Sequence, residues 1–360
     1  MPHLAVQHIT KSYDGNPAVQ DISFEVAPGR VLALCGENGA GKSTLMRMLS
    51  GATRPDSGTI LIDGAPVEIA RPADAMALGI CTVYQELSLL PHLSVAENVL
   101  LGRMPTRILP FVIDWSAANR TAGRVLADFG FPDLDPTAPV GSLSVARQQI
   151  VEIAKALVTE PRILILDEPT AMLSASETAL LFAKVRSLAA AGGTVLYISH
   201  RLEEIFEIAD EIVVLKDGAS VLAAPVADLD QDRIIRAMVG RPLSAIFPER
   251  RGLPGRVVLE VERLAQRGAF EGVSFAVHAG EIVGMFGLVG SGRTEVAKAI
   301  FGARPADAGS VRLDGRDARF TSPAQAVRSG LAMLTEDRKG DGLVLGLSVL
   351  DNAGLASSGE

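Results

Sequence analysis

A glycine-rich segment that follows an apolar stretch constrains the fold of this chain more than any other feature. The apolar residues 31–35 lead into the run G-E-N-G-A-G-K-S-T, and a helix-like stretch, 45–49, comes next. Strand, glycine loop and helix in this order are the context in which G-x-x-x-x-G-K-[ST] binds phosphate. Glycines let backbone N–H groups turn towards an anion, and a helix N-terminus adds partial positive charge. The segment predicts a nucleotide site formed by Gly36, Glu37, Asn38, Gly39, Ala40, Gly41, Lys42, Ser43 and Thr44.

Two side chains of this segment predict what the site holds. The ammonium group of Lys42 can reach the β- and γ-phosphates of a nucleotide, and the hydroxyl group of Ser43 can bind Mg²⁺. An ordinary glycine turn before a helix is the alternative interpretation, and the strand and helix on either side disfavour it. We therefore expect a nucleoside triphosphate with Mg²⁺ at this loop.

The composition limits the kinds of partner. The chain has 360 residues, of which 48% are hydrophobic, so two domains with large cores are expected. A net charge of −8 disfavours a nucleic-acid binder, which normally carries a basic patch. Two cysteines, Cys35 and Cys81, lie in apolar stretches, which is typical of buried reduced thiols in a cytosolic protein. No apolar run approaches the roughly 18 residues of a membrane span, so membrane association must come through a partner.

The chain repeats itself at a constant offset. Residues 22–26 return as 273–277, and glycines 36, 51 and 79 return at 287, 302 and 330, each 251 positions later. A constant offset over roughly sixty residues indicates a duplicated domain rather than a short solenoid repeat. Alternating strand-like and helix-like stretches predict an α/β fold with a largely parallel sheet. We expect domains at 1–240 and 256–360, joined by a linker at 241–255 that is rich in Pro, Gly and Arg.

The second copy is expected to be incomplete. The same offset would place the end of a whole second copy near residue 491, whereas the sequence has 360 residues. Half a sheet without its neighbours exposes strand edges and apolar faces. We therefore expect either a fragment of a longer chain or a tail that is poorly ordered or covered by a partner.

Two strands of the first copy end in residues suited to phosphoryl chemistry. The apolar strand 163–166 is followed by Asp167 and Glu168, and ligands of parallel sheets bind at the carboxyl ends of strands. Asp167 is predicted to hold Mg²⁺, directly or through water, and Glu168 to polarise the attacking water. A second strand, 194–198, precedes His200, which can hydrogen-bond the γ-phosphate, although a lone histidine there is more often structural.

Two further residues are weaker candidates. Gln85 follows the strand-like stretch 80–84 and is predicted to sense Mg²⁺ or water. Tyr13 precedes the first core strand by a turn, where an aromatic ring can stack on adenine. A purely packing role for Tyr13 fits the sequence equally well.

Taken together, these residues resemble the ATP-binding-cassette (ABC) ATPases. Lys42 matches the phosphate-loop lysine, Gln85 the Q-loop glutamine and His200 the switch histidine, while Asp167 and Glu168 match the Walker B pair. The signature segment is matched by 142–149 and the D-loop by 171–174. The resemblance narrows to sugar-type importers, whose ATPase subunit fuses two cassettes, through the segments 85–98, 148–157 and 335–343.

The resemblance implies a fold, an activity and partners. The fold is a P-loop NTPase with an ABC-type nucleotide-binding domain, a helical subdomain at about 90–156, and a duplicated, incomplete second copy. The activity is ATP binding and hydrolysis that drive a carbohydrate importer. Residues 86–101 would contact a membrane permease, which works with a sugar-binding protein, so the chain would sit peripherally on the cytoplasmic face of the plasma membrane.

The chain departs from the family pattern at three positions. Ala146 replaces a signature glycine, where a methyl group could crowd the phosphate, or strain the backbone if φ is positive, and the cation of Arg147 could partly compensate. In the second copy Arg293 stands in place of Lys42, and Glu336 in place of Gln85. Arginine and lysine are not interchangeable at a tight phosphate site, so we expect weak or non-productive binding there.

Within the family, the signature of one cassette touches the γ-phosphate bound to the other. Ser144 and Ala146 would therefore act in trans, and Lys42 would need the signature of a second cassette or of a partner. By offset that second signature would lie near residue 395, so we expect very low activity from the isolated chain. Two alternatives stay open, a soluble cassette ATPase of translation or DNA repair and a truncated product that binds nucleotide without hydrolysing it.

Overall fold

The computed structural model describes residues 3–107, 112–239, 255–287, 290–335 and 338–355. The chain separates into two compact units, Met1–Pro248 and Glu249–Glu360. The predicted linker, 241–255, lies outside the described residues except for Gly255. Because the two units are separate bodies, each is described by itself.

The first unit is an α/β structure. Its strands are β1 (Leu4–Tyr13), β2 (Asn16–Val26), β3 (Val31–Cys35), β4 (Ser57–Ile62), β5 (Ala65–Val67), β6 (Ile80–Val83), β7 (Ile163–Asp167), β8 (Thr194–Ile198), β9 (Glu211–Lys216) and β10 (Ala219–Pro225). Its helices are α1 (Lys42–Leu49), α2 (Pro72–Ala77), α3 (Val95–Val99), α4 (Trp115–Phe129), α5 (Val145–Leu157), α6 (Ala175–Ala190), α7 (Leu202–Ile208) and α8 (Gln231–Val239). Short 3₁₀ turns precede α5 and α8.

A six-stranded sheet in the order β10-β9-β3-β8-β7-β6 forms the centre of this unit. Strands β6, β7, β8, β3 and β9 run parallel, and only β10 pairs antiparallel, with β9. Strands β3 and β8 are buried along their whole length, which explains their continuous apolar sequences. The register places Asp167 beside Ile198, so the carboxyl ends of β7 and β8 meet at one edge. The predicted parallel sheet is therefore present.

A second, antiparallel sheet in the order β2-β1-β4-β5 covers one face of the first. The β1–β2 hairpin turns at Asp14 and Gly15, whose φ angles are 48° and 81°. A two-residue turn with positive φ at both positions matches the right-handed twist of the strands that it joins. Burial alternates along the second half of β2, where Ile22, Phe24 and Val26 are buried, whereas the first three residues of β1 are all buried. They pack with α1 and with one face of β3, β7 and β8 into a single core.

The helices between β6 and β8 pack on the other face of the central sheet. Helices α3, α4 and α5 lie within the predicted helical subdomain, and their apolar faces share a core with α6 and with β7 and β8. Each of α3, α5 and α6 begins at a serine whose hydroxyl group accepts a backbone N–H three residues on. Such N-caps contribute about 1 kcal/mol each and fix where the helices start.

The second unit repeats the opening elements of the first. It contains β11 (Val257–Gln266), β12 (Phe270–His278), α9 (Arg293–Ile300), β13 (Ala308–Leu313), β14 (Arg316–Asp317), α10 (Pro323–Arg328) and α11 (Val349–Gly354). Helix α9 and strand β13 stand 251 positions after α1 and β4. Backbone angles repeat as well, since φ is 51° at both Asp63 and Asp314. The duplication seen in the sequence is therefore also a duplication of local structure.

The described part of the second unit has an antiparallel sheet, β12-β11-β13-β14, and no parallel one. Residues 282–286 and 331–334 match β3 and β6 by offset but form no strand. Ile282, Phe286 and Leu334 are at least 90% exposed as a result. In the first unit β3 pairs with β8 and β9, and β6 pairs with β7. Among the described residues of the second unit no parallel pairing of this kind is present.

Candidate nucleotide-binding site

The glycine-rich segment forms the loop between β3 and α1. Gly36 and Gly41 have φ angles of 148° and 101°, which other residues rarely adopt. A Cβ atom at Gly36 would lie 2.2 Å from the carbonyl oxygen of Leu215, and one at Gly41 would lie 2.5 Å from that of Ala18. Helix α1 starts without a side-chain cap. Its first N–H groups therefore remain available to an anion.

Lys42 lies inside this loop rather than in solvent. Its ammonium group donates hydrogen bonds to the carbonyl oxygens of Gly36 and Glu37 at 2.7 and 2.9 Å, and the residue is 8% exposed. Burial lowers the pKa of Lys42, while the nearby carboxylates of Glu168 and Asp167 act in the opposite direction. The ammonium group is thus confined at the mouth of the loop, close to two negative side chains.

The structure brings the three predicted catalytic residues into direct contact. Oε2 of Glu168 accepts a hydrogen bond from Nε2 of Gln85 at 2.9 Å. Oε1 of the same carboxylate lies 2.9 Å from Nδ1 of His200. The Glu168 side chain is 17% exposed, whereas that of His200 is 63% exposed. Strands β6, β7 and β8 supply one residue each, because their carboxyl ends meet at the same edge.

Asp167 carries a pKa that suits a cation site. Burial raises its pKa to about 6, the adjacent Glu168 adds to the rise, and Lys42 opposes it. Two carboxylates against one buried ammonium group leave negative charge that a divalent cation would compensate. Within the described residues no cluster of three or more His, Cys, Asp or Glu could hold a metal by itself. Asp167 and Ser43 therefore fit Mg²⁺ that arrives with phosphate and water ligands.

The raised pKa of Asp167 predicts a pH dependence of nucleotide binding. Mg²⁺ binds the ionised carboxylate only, and a pKa of about 6 means that acid protonates this group earlier than an ordinary aspartate. We expect the Kd for Mg·ATP to rise about tenfold between pH 7 and pH 5, as measured by calorimetry. Asp167→Asn should bind more weakly at pH 7 and lose most of this dependence. An equally steep pH profile in Asp167→Asn would contradict the assignment.

Tyr13 lies at the end of β1, beside the hairpin. Its ring is 40% exposed, and the ammonium group of Lys11 lies 5.7 Å from the ring centre. An exposed ring at this position is free to stack on a flat ligand. The adenine contact stays a prediction.

Ser144 and Ala146 lie at the start of α5. The hydroxyl group of Ser144 caps the helix by accepting the backbone N–H of Arg147 at 3.4 Å. Ala146 sits in the first turn, where helical backbone angles are negative, so the expected strain is absent. The Arg147 guanidinium pairs with Asp133 at 2.5 Å and holds the pKa of that carboxyl below its usual range. Arg147 thus has an exposed carboxylate partner in this structure, and its compensation for the methyl group stays a prediction.

The structure also shows a buried carboxylate that sequence reasoning missed. Glu204 on α7 is 5% exposed and accepts hydrogen bonds from Thr170, Tyr197 and Ser199 at 2.7 to 3.0 Å. Thr170 stands two residues after Glu168, and Ser199 directly precedes His200. Glu204 therefore ties together the two segments that carry Glu168 and His200. The sequence feature that could have pointed to this carboxylate is a glutamate on the apolar, buried face of α7.

In the second unit α9 begins at Arg293, in the position that Lys42 occupies in α1. Gly290 and Gly292 have φ angles of 80° and 89°, close to those of Gly39 and Gly41. Residues 288–289 of this loop and Glu336 lie outside the described residues. The left-handed glycine angles are thus repeated at these two positions, whereas Gly287, the counterpart of Gly36, has no positive φ. Weak nucleotide binding at the second loop stays a prediction.

A family model described as ABC transporter matches residues 19–171 and 270–358. The chain belongs to the ABC transporter family. One match covers the phosphate loop and the Walker B carboxylates of the first cassette, and the other falls within the second unit. The family binds ATP through this domain, so the predicted α/β, P-loop fold and ATP as the nucleotide are confirmed, while the residues assigned to the site stay a prediction.

Curated relatives of this ABC protein share its sequence over nearly the whole chain. A protein of Rubrobacter xylanophilus named ribose import ATP-binding protein RbsA 1 is 51% identical over 99% of this chain and 70% of the relative. A putative ribose/galactose/methyl galactoside import ATP-binding protein of Burkholderia ambifaria is 48% identical over 98% of this chain and 68% of the relative. The relatives are thus longer than this ABC chain.

Solved structures agree with the cassette fold. A nucleotide-free ATP-binding cassette from an ABC transporter is 25% identical, with a TM-score of 0.58, and covers 69% of this chain and 100% of its own. A bacterial Atm1-family ABC exporter with ATP bound is 28% identical, with a TM-score of 0.55, over 63% of this chain and 39% of the exporter. Each likeness corresponds to about one cassette of this ABC protein.

Proposed function

We propose that this chain is the ATP-binding and ATP-hydrolysing subunit that powers a carbohydrate importer. The observation that carries the proposal is the contact of Glu168 with both Gln85 and His200, next to a phosphate loop that encloses Lys42. The relatives named as ribose and galactose import ATP-binding proteins support the carbohydrate class. The alternative of a soluble ATPase of translation or DNA repair is not favoured by these relatives or by the net charge of −8.

Each residue of the site has a chemical task in this proposal. The loop N–H groups and Lys42 bind the β- and γ-phosphates, and Ser43, Gln85 and Asp167 would hold Mg²⁺. Bound Mg²⁺ neutralises charge that develops on the phosphates. Glu168 orients and deprotonates the attacking water. His200, whose Nδ1 contacts the Glu168 carboxylate, hydrogen-bonds the γ-phosphate. The hydrogen bonds from Thr170, Tyr197 and Ser199 to Glu204 hold the segments of Glu168 and His200 in a fixed relative position.

The surface for the permease is proposed at residues 86–101. Asn98, which is fully buried, braces this segment from inside. Its side-chain oxygen accepts the N–H of Leu90, and its amide donates to the carbonyl oxygens of Leu90, Leu93 and Ser94 at 3.0 to 3.4 Å. Asn352 makes the matching set of contacts to Val344, Leu347 and Ser348 in the second unit. Both units thus carry a braced segment suited to docking.

No helix in the described part of the chain is both long and apolar enough to cross a membrane. The proposal places this subunit on the cytoplasmic face of the membrane, bound to its permease, and the relatives named as import ATP-binding proteins support this placement. A sugar-binding protein on the far side would deliver the substrate to that permease. A second signature, from another cassette or a partner, would complete the site at Lys42.

Transport in a reconstituted system tests the proposed function. The chain, its permease and its sugar-binding protein are placed in liposomes with internal ATP, and uptake of labelled ribose, galactose and xylose is followed. We expect uptake of at least one sugar that needs ATP and the binding protein. ATP hydrolysis should rise with it. A rate of ATP hydrolysis that changes with neither sugar nor permease, or that rises with RNA instead, would contradict the proposal.

A further inference from the structure

The buried carboxylate of Glu204 collects donors from the carboxyl ends of two neighbouring strands. From the end of β7, the hydroxyl group of Thr170 donates to Oε1 and Oε2 of Glu204, at 2.8 and 2.9 Å. From the end of β8, Tyr197 and Ser199 donate to Oε2 at 2.7 and 3.0 Å. The guanidinium group of Arg201 pairs with the same carboxylate. Four donors therefore converge on an acceptor that is only 5% exposed.

The charge of this carboxylate is not explained by stability. Burial, together with the charge of Glu204, raises the pKa of the Tyr197 hydroxyl group, so this group stays protonated and donates. A buried ion pair can often be replaced by apolar side chains of similar size without loss of stability. Holding the fold together is thus an insufficient reason for a carboxylate here, whereas an acceptor that gathers several hydroxyl groups at one point requires one.

The backbone of Glu168 needs support from its surroundings. Its φ angle is 45°, in the left-handed region that residues with a side chain rarely adopt. Such a conformation persists only where the surrounding structure holds it. The N–H group of Glu168 donates to the carbonyl oxygen of Ile198 at 2.9 Å. Two residues later, the bond from Thr170 to Glu204 holds the chain on the other side.

The contacts close a ring around the predicted catalytic pair. The segment of Glu168 continues to Thr170, which bonds to Glu204, and Ser199 bonds to the same carboxylate directly before His200. Nδ1 of His200 lies 2.9 Å from Oε1 of Glu168 and completes the ring. The His200 side chain is 63% exposed, so packing constrains it weakly. The bond of Ser199 instead holds the backbone from which this side chain projects.

We propose that Glu204 is a positioning residue for ATP hydrolysis, which sets the distance between Glu168 and His200 by binding Thr170 and Ser199 together. The inference rests on the proposed function, because it requires that Glu168 activates water. Glu204 acts through the two hydroxyl groups rather than on the reacting atoms. A misplacement of about 1 Å in a catalytic group can lower a rate about 100-fold. Breaking this link should therefore lower kcat, while the phosphate loop keeps its affinity for ATP.

Steady-state ATP hydrolysis by the reconstituted importer tests the inference. Thr170→Val keeps the shape of the side chain and removes its hydroxyl group. We expect kcat to fall about tenfold or more, with the KM for Mg·ATP changed less than about twofold. Thr170→Ser restores the hydroxyl group and should keep kcat within about threefold of the unaltered protein. Thr194→Val is the matched control, because Thr194 is also buried and hydrogen-bonded but begins β8 at its other end. It should leave both constants unchanged.

Further variants test the carboxylate and the path between the two segments. In Glu204→Gln one half of the amide donates instead of accepting, so kcat should fall about three- to tenfold. Glu203→Gln, an exposed change beside it, should leave kcat unchanged. Ser199→Ala should resemble Thr170→Val. Because either change breaks the same link, the double variant should have a kcat within about threefold of the slower single variant.

The other outcomes separate the inference from the proposed function. Rates are expressed per molecule that binds a fluorescent ATP analogue, so unfolded protein is not counted, and if Thr170→Val does not fold, Ser199→Ala and Glu204→Gln decide by the same criteria. A kcat of Thr170→Val within about twofold of the unaltered value would overturn the inference. Equal losses in Thr194→Val, or losses that multiply in the double variant, would overturn it too. An unaltered importer that hydrolyses no ATP would instead contradict the proposed function, and the inference with it.

Discussion

Replacing Glu168 by glutamine should lower ATP hydrolysis by the assembled importer by about 100- to 10,000-fold while ATP still binds. The amide keeps the size of the side chain and can still contact Gln85 and His200, but it cannot take a proton from water. The phosphate loop is unchanged, so the nucleotide keeps its main contacts. Steady-state phosphate release and equilibrium binding of ATP, measured on the same preparation, separate the two effects.

Glu203→Gln is the matched control for this experiment. Glu203 is exposed on α7, next to the buried Glu204, and undergoes the same chemical change away from the site. It should hydrolyse ATP at the rate of the unaltered protein. If Glu168→Gln kept more than about a tenth of that rate, Glu168 would not be the general base and its contacts would be structural.

The second large effect is expected at the phosphate loop. Lys42→Ala should weaken ATP binding about 100-fold, because it removes a charged donor from a buried site. The carbonyl oxygens of Gly36 and Glu37 would also lose their partner. Fluorescent-nucleotide titration of the full chain measures the loss without requiring hydrolysis.

The duplicated chain supplies a control at the equivalent position. Arg293 begins α9 as Lys42 begins α1, so Arg293→Ala makes the corresponding deletion in the second unit. We expect Arg293→Ala to change the total ATP affinity less than threefold, because guanidinium geometry fits a tight phosphate loop poorly. Equal losses in the two variants would show two equivalent nucleotide sites and would contradict the predicted asymmetry.

Some of the fold follows from short stretches of sequence. The phosphate loop is contiguous, and its glycines at 36 and 41 need backbone angles that only glycine adopts readily, so sequence spacing alone located it. The apolar stretches 31–35 and 163–166 predicted strands, and the buried strands β3 and β7 form there. The constant offset of 251 likewise predicted that α9 would repeat α1. Whether Ala146 is strained depended on the sign of its φ angle, which the sequence left open and the first turn of α5 sets as negative.

What the sequence by itself determined is therefore the phosphate loop, the identity of the carboxylates that follow β7, and the duplication, since each is encoded locally or by a fixed spacing. Only the tertiary structure decided that Gln85 and His200, 83 and 32 residues from Glu168, meet on one carboxylate. It alone showed the hydrogen-bond partners of Glu204. Burial and hydrogen-bond satisfaction depend on which distant strands pair and which helices cover them, and no local pattern records that choice.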